Sequence, residues 1–323
     1  MTEKMGLQEA LSESAQNVKN ALLAPVPGLV QMTSWLAGSS GKGIRARLLL
    51  SSSQDEGGNV PQDAPKASAA IELLHMATLV HDDVIDDAPV RRGIQTLNKK
   101  FDSRSAVICG DYLLSQAMLM VAEMDIARLG DAKAYSSLVP GVSRALSLIC
   151  RGEYTQHMNI GNLNLKALDY FRIISHKTAA LFSASASIGG IVGGEPKENV
   201  LKLGRFGRLM GMAFQIADDC KDYEWTQDKA QKPVGNDIKS GVVTLPLILA
   251  MQKESSIRKA AKEAMTANKD LSAFLKAVLD AGGSGAAKNV AARYVAWAKR
   301  AIREFPQKKQ DALLEVLMQT SIQ

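Results

Sequence analysis

Apolar residues recur at three- and four-residue intervals along most of the chain, and strict alternation is rare. That period belongs to helices, not to half-buried strands. "ASAAIELLHMATLVHDDVIDD", residues 67–87, predicts one long helix. "KTAALFSASASIGGIVGG", residues 177–194, predicts a helix of small residues stopped by glycines that suit a C-cap. "FGRLMGMAFQIADDCKDY", residues 206–223, predicts another with an acidic end. Prolines fall at borders: none lies between Pro89 and Pro140, between Pro140 and Pro196, or between Pro246 and Pro306. Helices can therefore run unbroken through those intervals. Loops are predicted at "SQDEGGNVPQDAP", "QKPVGNDIKSG" and "DAGGSGAA". No repeat or long linker divides the chain, so residues 1–323 are expected to form a single all-α domain.

Composition agrees. Of 323 residues, 46% are hydrophobic and only 5% aromatic, with 13 Met. Such a chain favours helix and can bury a sizeable core. The formal net charge is +6, and residues 251–323 account for it with 13 Lys or Arg against 7 Asp or Glu. A basic segment can attract an anionic membrane surface or nucleic acid. Its plainer meaning is a solvated helical face, and no nucleic-acid partner is expected. Cys109, Cys150 and Cys220 form neither a metal-type spacing nor a disulfide framework, which fits a reducing cytoplasm. The start "MTEKMGLQEALSES" is polar and acidic, unlike a secretory signal. No run reaches the roughly 20 apolar residues that cross a bilayer. A soluble, cytoplasmic protein is expected.

One stretch resists this plain reading. "HDDVIDDAPVRRG", residues 81–93, crowds four carboxylates ahead of two arginines. On a helix Asp82 and Asp86 share a face, and Asp83 and Asp87 form a second pair beside them. Like charges at that spacing cost about 0.2–0.5 kcal/mol per pair. They also sit at a helix C-terminus, where the macrodipole is negative. A divalent cation relieves both penalties, and hard oxygen ligands suit Mg²⁺ held by carboxylates and substrate phosphates. A merely solvated helix end would read the same way. "FQIADDCKDY" repeats the D-D-x-x-D spacing at Asp218, Asp219 and Asp222, and two such helices facing each other would wall a metal-filled cavity. A glycosidase acid–base pair needs only one carboxylate per side, and a di-iron site would want Glu-x-x-His on each of two helices, whereas the chain has it once, at Glu72–His75. Lys42 and Arg45 in "GKGIRAR", Arg91, Arg92, Lys177 and Lys232 add cations suited to phosphate. Together these point to two phosphorylated groups, one held through metal and one by side chains.

At these residues the chain resembles the trans-isoprenyl diphosphate synthases, also called polyprenyl synthases. The likeness runs from about residue 40 to 250. It rests on "DDVID" followed by "RRG", on "GEYTQ" (152–156), "KT" (177–178) and "FQIADDCKDY", and on "GND" and "TLP" within 235–246. The resemblance implies a bundle of long α-helices around a deep central cavity, as a homodimer. It implies Mg²⁺ on Asp82, Asp86 and Asp218, supported by Asp83, Asp219 and Asp222. Lys177, Lys232 and Arg91 would contact the allylic diphosphate. Lys42, Arg45, His75 and Arg92 would hold isopentenyl diphosphate. Thr178 and Gln215 would turn oxygen dipoles toward an allylic cation. The reaction would be ionisation, condensation and elimination, and a lipid product implies peripheral membrane contact.

The chain departs from the family pattern in places. Ala46 stands where the family commonly has Pro, and Val242 where it often has Lys, a cation that Lys239 could replace. Product length in the family is steric, set along the helix below the first metal motif. Ala77 and Thr78, five and four residues before Asp82, are small. Deeper positions include Leu74 and Ala70, with Met118 and Met120 as candidates for a lower floor. A product near octaprenyl is expected, with geranylgeranyl to hexaprenyl next, and Ala77→Phe should shorten it.

Overall fold

A computed structural model describes residues 4–23, 27–38, 41–91, 93–124, 138–224, 235–266 and 271–320. Among them the architecture is all-α, as the three- and four-residue periodicity requires. The helices are α1 (Leu7–Leu22), α2 (Pro27–Ala37), α3 (Ile44–Ser53), α4 (Ala64–Ile85), α5 (Leu97–Lys100), α6 (Ser103–Ala122), α7 (Leu138–His157), α8 (Ala167–Lys177), α9 (Ala179–Val192), α10 (Lys197–Lys221), α11 (Asn236–Lys239), α12 (Leu245–Lys253), α13 (Ser256–Thr266), α14 (Ser272–Asp280), α15 (Gly283–Ala301) and α16 (Gln307–Met318). Two small antiparallel pairs join them, β1 (Lys4–Met5) with β2 (Val60–Pro61) and β3 (Val90–Arg91) with β4 (Ile94–Gln95). The chain folds as two compact units: Met1–Ser143, Ala184–Gly204 and Glu304–Val316 in the first, and Arg144–Ser183, Arg205–Arg303 and Leu317–Gln323 in the second.

In the first unit α4 is the central helix. Its Ala69, Ile71, Leu73 and Leu74 are fully buried or nearly so. α6 packs along it through Ala106, Cys109, Leu113 and Ala117. Gly110 permits the approach, because a Cβ there would strike the His81 ring. α6 is long and apolar enough to span a bilayer by length and composition, contrary to the sequence expectation, because Arg104 and Asp111 are too few to break its 20 residues. Its contact with α4 makes it a packed helix of this unit. The end of α9 lies against α3, where a Cβ at Gly189 or Gly193 would meet the Leu49 or Ser53 carbonyl. Gly189 is thus inside the helix for close approach, while Gly193 follows its last residue and Gly194, φ +73°, turns the chain. Buried Lys309 of α16 pairs with Glu195 just beyond.

In the second unit the core gathers α8, the C-terminal part of α10, α12, α14 and α15. Tyr170, Ile174, Ile216, Tyr223, Leu247 and Val278 are among its buried members. The predicted loop "DAGGSGAA" shrinks to a tight reversal at Gly282, φ +79°, and α15 starts at Gly283. Gly283 belongs to the helix because only a residue without a side chain fits against the Pro246 carbonyl.

Candidate functional site

The first acidic bank ends α4. Ile85 is the last helical residue, and the Asp86 N–H closes the helix by donating to the Asp82 carbonyl at 2.8 Å. Asp87 takes φ 49°, a left-handed conformation that Asp tolerates better than most residues. The chain then reverses through β3 and β4 around Gly93, φ +82°. This hairpin returns Arg91 to α4, where its Nε donates to Asp83 Oδ1 at 2.7 Å. Asn98 donates to the Asp83 carbonyl at 3.1 Å, and Thr96 donates to the Ala88 carbonyl at 2.6 Å. Lys99 pairs with Asp87 at 2.6 Å. Asp83 is buried. Burial pushes its carboxyl above the usual range, and the Arg91 guanidinium opposes that. Asp82 is half-buried and Asp86 exposed, one turn apart at the negative end of the helix.

Further candidate residues of the first unit lie along this helix, on α6 and at the start of α3. His75 and Thr78 are half-buried, and the Thr78 hydroxyl donates to the His75 carbonyl at 2.8 Å. Ala77 is 2% exposed and packed, as are Leu74 and Ala70, while Met118 and Met120 on α6 are half-buried. Lys42 is exposed ahead of α3, Gly43 makes the left-handed entry to that helix, and Arg45 lies in its first turn. The Ala46 N–H donates to Glu72 Oε1 at 2.9 Å. Proline has no such donor, so Ala46 has a use here that the family's common proline could not serve. Arg92 and Lys232 lie outside the described residues.

The second acidic bank ends α10, and its three aspartates do different things. Asp218 is exposed, with Lys221 at 3.6 Å. Asp219 is buried. It accepts the Tyr170 hydroxyl at 2.6 Å and the Gln215 amide N–H at 2.7 Å. The Gln215 carbonyl oxygen accepts the Thr178 hydroxyl at 2.6 Å. Burial pushes Asp219 up to about 7 against those two hydrogen bonds, and Asp218 and Asp222 push the same way. Asp222 accepts the N–H groups of Asn236 at 3.1 Å and Asp237 at 2.9 Å. It thereby caps α11, which explains the "GND" sequence that follows. Burial holds Asp222 above the usual carboxylate range despite these bonds. Burial and the three neighbouring aspartates drive Asp237 well above it, with Lys177 opposing. Lys239 is exposed at the end of α11, and the Val242 N–H donates to the Asp237 carbonyl at 2.7 Å.

Lys177 closes α8 instead of opening a helix, and Thr178 is the break before α9. The break follows from packing. A Cβ on Gly152 of α7 would overlap the Lys177 backbone, so that glycine lets two helices touch main chain to main chain. The next residue, Glu153, then pairs with Lys177 Nζ at 2.6 Å. The start of "GEYTQ" is a device for seating Lys177. Tyr170, Glu153 and Asp237 were not anticipated as site residues. Tyr170 had a legible signal, since it precedes Lys177 by seven residues, two turns on one helix face.

Both banks present one or two accessible carboxylates at a helix C-terminus, with oxygen donors only. That donor set fits Mg²⁺, which keeps several waters and binds through one or two carboxylates plus phosphate. Among the described residues no three His, Cys, Asp or Glu side chains converge on a single metal point. Substrate oxygens would have to supply the remaining positions.

A family model described as "Polyprenyl synthetase" matches residues 26–281. The heptaprenyl diphosphate synthase component 2 of Geobacillus stearothermophilus is 40% identical over 187 residues, 58% of this chain and 56% of that relative. The octaprenyl diphosphate synthase of Escherichia coli K12 is 33% identical over 251 residues, 76% of this chain and 74% of that relative. A crystal structure of a polyprenyl synthase from Caulobacter crescentus CB15, complexed with calcium and isoprenyl diphosphate, matches with TM-score 0.85 and 28% identity. It covers 96% of this chain and 93% of that one. Further relatives have names running from geranylgeranyl to nonaprenyl diphosphate synthase.

Proposed function

The chain belongs to the polyprenyl synthetase family of trans-prenyltransferases, and from that premise we propose that it joins isopentenyl diphosphate to an allylic diphosphate, making a long all-trans chain near octaprenyl. One observation carries the reading. Each D-D-x-x-D motif lies at a helix C-terminus with its first aspartate accessible and its second buried and hydrogen-bonded. A merely solvated acidic surface has no need of that division of labour.

Asp82 and Asp86 in one bank, and Asp218 in the other, would hold Mg²⁺, which when bound would draw charge from the departing diphosphate. The chain's own groups do the rest. Lys177, seated by Glu153, and Arg91, seated by Asp83, offer cationic donors to the allylic diphosphate. Lys42, Arg45 and His75 would bind isopentenyl diphosphate. The Thr178 proton is committed to Gln215, and the Gln215 amide protons include one committed to Asp219. The lone pairs of the Thr178 oxygen can therefore face positive charge on the allylic carbon. The released diphosphate can take the proton lost on elimination, so no side-chain base is required.

A homodimer is part of the reading, and exposed Val107, Ile108 and Leu119 on α6 offer apolar surface for it. A second reading, a catalytic subunit that needs a different partner chain, is favoured by the 40% match to a protein named component 2. One assay separates them. The purified chain is incubated with Mg²⁺, labelled isopentenyl diphosphate and farnesyl diphosphate, and the extracted lipid is sized. A lengthened diphosphate supports the first reading. Silence that a partner chain relieves supports the second. A hydrocarbon formed without consuming isopentenyl diphosphate would indicate a cyclase and contradict both.

A further inference from the structure

We propose that the exposed face of α15 docks this protein on an anionic lipid surface. α15 contains no Asp or Glu over its 19 residues. Its Lys288, Arg293, Lys299 and Arg300 are all exposed, as is Arg303 just past its end. Lys288 pairs with Glu224. Among the described residues, no carboxylate forms an ion pair with Arg293, Lys299 or Arg300. Helical geometry puts Arg293, Trp297 and Arg300 on one stripe, at i, i+4 and i+7. The rotation of the helix is fixed from beneath by buried Ala287, Ala291 and Ala298.

Trp297 is what separates this face from an ordinary solvated one. The residue is 50% exposed. Its ring stands edge-on against Tyr294, with centroids 5.2 Å apart, and Tyr294 in turn meets Phe171 at 6.2 Å. The Tyr294 ring thus stands between Trp297 and Phe171, and Arg293 and Arg300 lie about one turn to either side of Trp297 along the helix. A basic face bearing an indole is the composition that settles at a membrane interface, where the ring lies at headgroup depth and the cations meet anionic lipid. Single-stranded nucleic acid would ask for a groove with successive stacking rings, and this face offers one ring on a convex helix. The inference deepens the proposed function and rests on it for its purpose, because a long polyprenyl product is itself a membrane lipid.

The test uses the full chain without substrate. Binding is measured by co-sedimentation with vesicles of phosphatidylcholine alone or mixed with phosphatidylglycerol, at low and high salt. Tryptophan quenching by brominated lipid is measured alongside. Wild type should prefer the anionic vesicles by about tenfold or more and lose the preference in high salt. Arg293→Glu with Arg300→Glu should reduce binding to the phosphatidylcholine level, and Arg293→Gln with Arg300→Gln should do so in part. Trp297→Ala should abolish most of the quenching while keeping thermal melting and prenyl transfer in detergent. Three results would each overturn the proposal: equal binding to both vesicle types, variants that bind as wild type does, or tighter binding to a single-stranded oligonucleotide than to anionic vesicles. None of them bears on prenyl transfer, which is read separately.

Discussion

At the scale of single residues, the two D-D-x-x-D motifs are sets of unlike aspartates. Asp218 faces solvent, Asp219 holds a buried hydrogen-bond network, and Asp222 caps a helix. Their substitutions should therefore separate. Asp218→Asn should abolish most prenyl transfer and leave the urea midpoint unchanged. Asp222→Ala should cost about 0.5–2 kcal/mol of stability in the same melts, as loss of a helix cap does. Tyr170→Phe keeps the ring and removes one donor from a buried carboxylate, worth about 1–3 kcal/mol. Its turnover should fall while KM for isopentenyl diphosphate holds, because the change reaches substrate only through Asp219, Gln215 and Thr178. A Tyr170→Phe enzyme with wild-type turnover would show that the network does not position Thr178. The sequence made the carboxylates visible but not their roles. Nothing in the spacing says that Asp219 points inward, since that depends on Tyr170 arriving from another helix.

At the scale of elements, α4 is both core and candidate site. Its packed side holds Ala70, Leu74 and Ala77, and its accessible side holds His75, Thr78 and Asp82. Phenylalanine at the two small positions should behave differently. Thr78→Phe should shorten the product, sized by chromatography, with melting unchanged. Ala77→Phe should also lower stability by about 1–3 kcal/mol, because it overfills a packed interface. Unchanged product length in both would exclude this segment of α4 from the path of the growing chain. Elsewhere, Lys309 of α16 is buried against Glu195. Lys309→Ala should destabilise by about 3–5 kcal/mol in denaturant melts, since it strands a carboxylate, while Lys309→Met with Glu195→Leu should recover much of the loss. Periodicity made the existence of α4, α9 and α10 legible. It placed the glycine stop of α9 correctly, since the helix ends at Val192 before Gly193 and Gly194, but it could not show the close approach of Gly189 or the place of Gly283 inside α15, because close backbone approach is a tertiary fact.

At the scale of the whole molecule, the all-α class followed from periodicity, proline placement and composition. Which groups would act together was proposed mainly from the family resemblance, because ordering of Lys42, His75, Lys177 and Asp218 along the chain says little by itself about space. Product length is written in steric details of side chains that composition averages away. The proposed reaction would need both acidic banks to serve one diphosphate, and transfer of labelled isopentenyl diphosphate to farnesyl diphosphate in Mg²⁺ tests this most directly. Asp82→Asn and Asp218→Asn should each lower the rate by about a hundredfold or more, with native melting. The double variant should lose far less than the product of the two single losses, as groups that act as a unit do. Wild-type rates in either single variant would contradict the claim that these carboxylates carry the reaction.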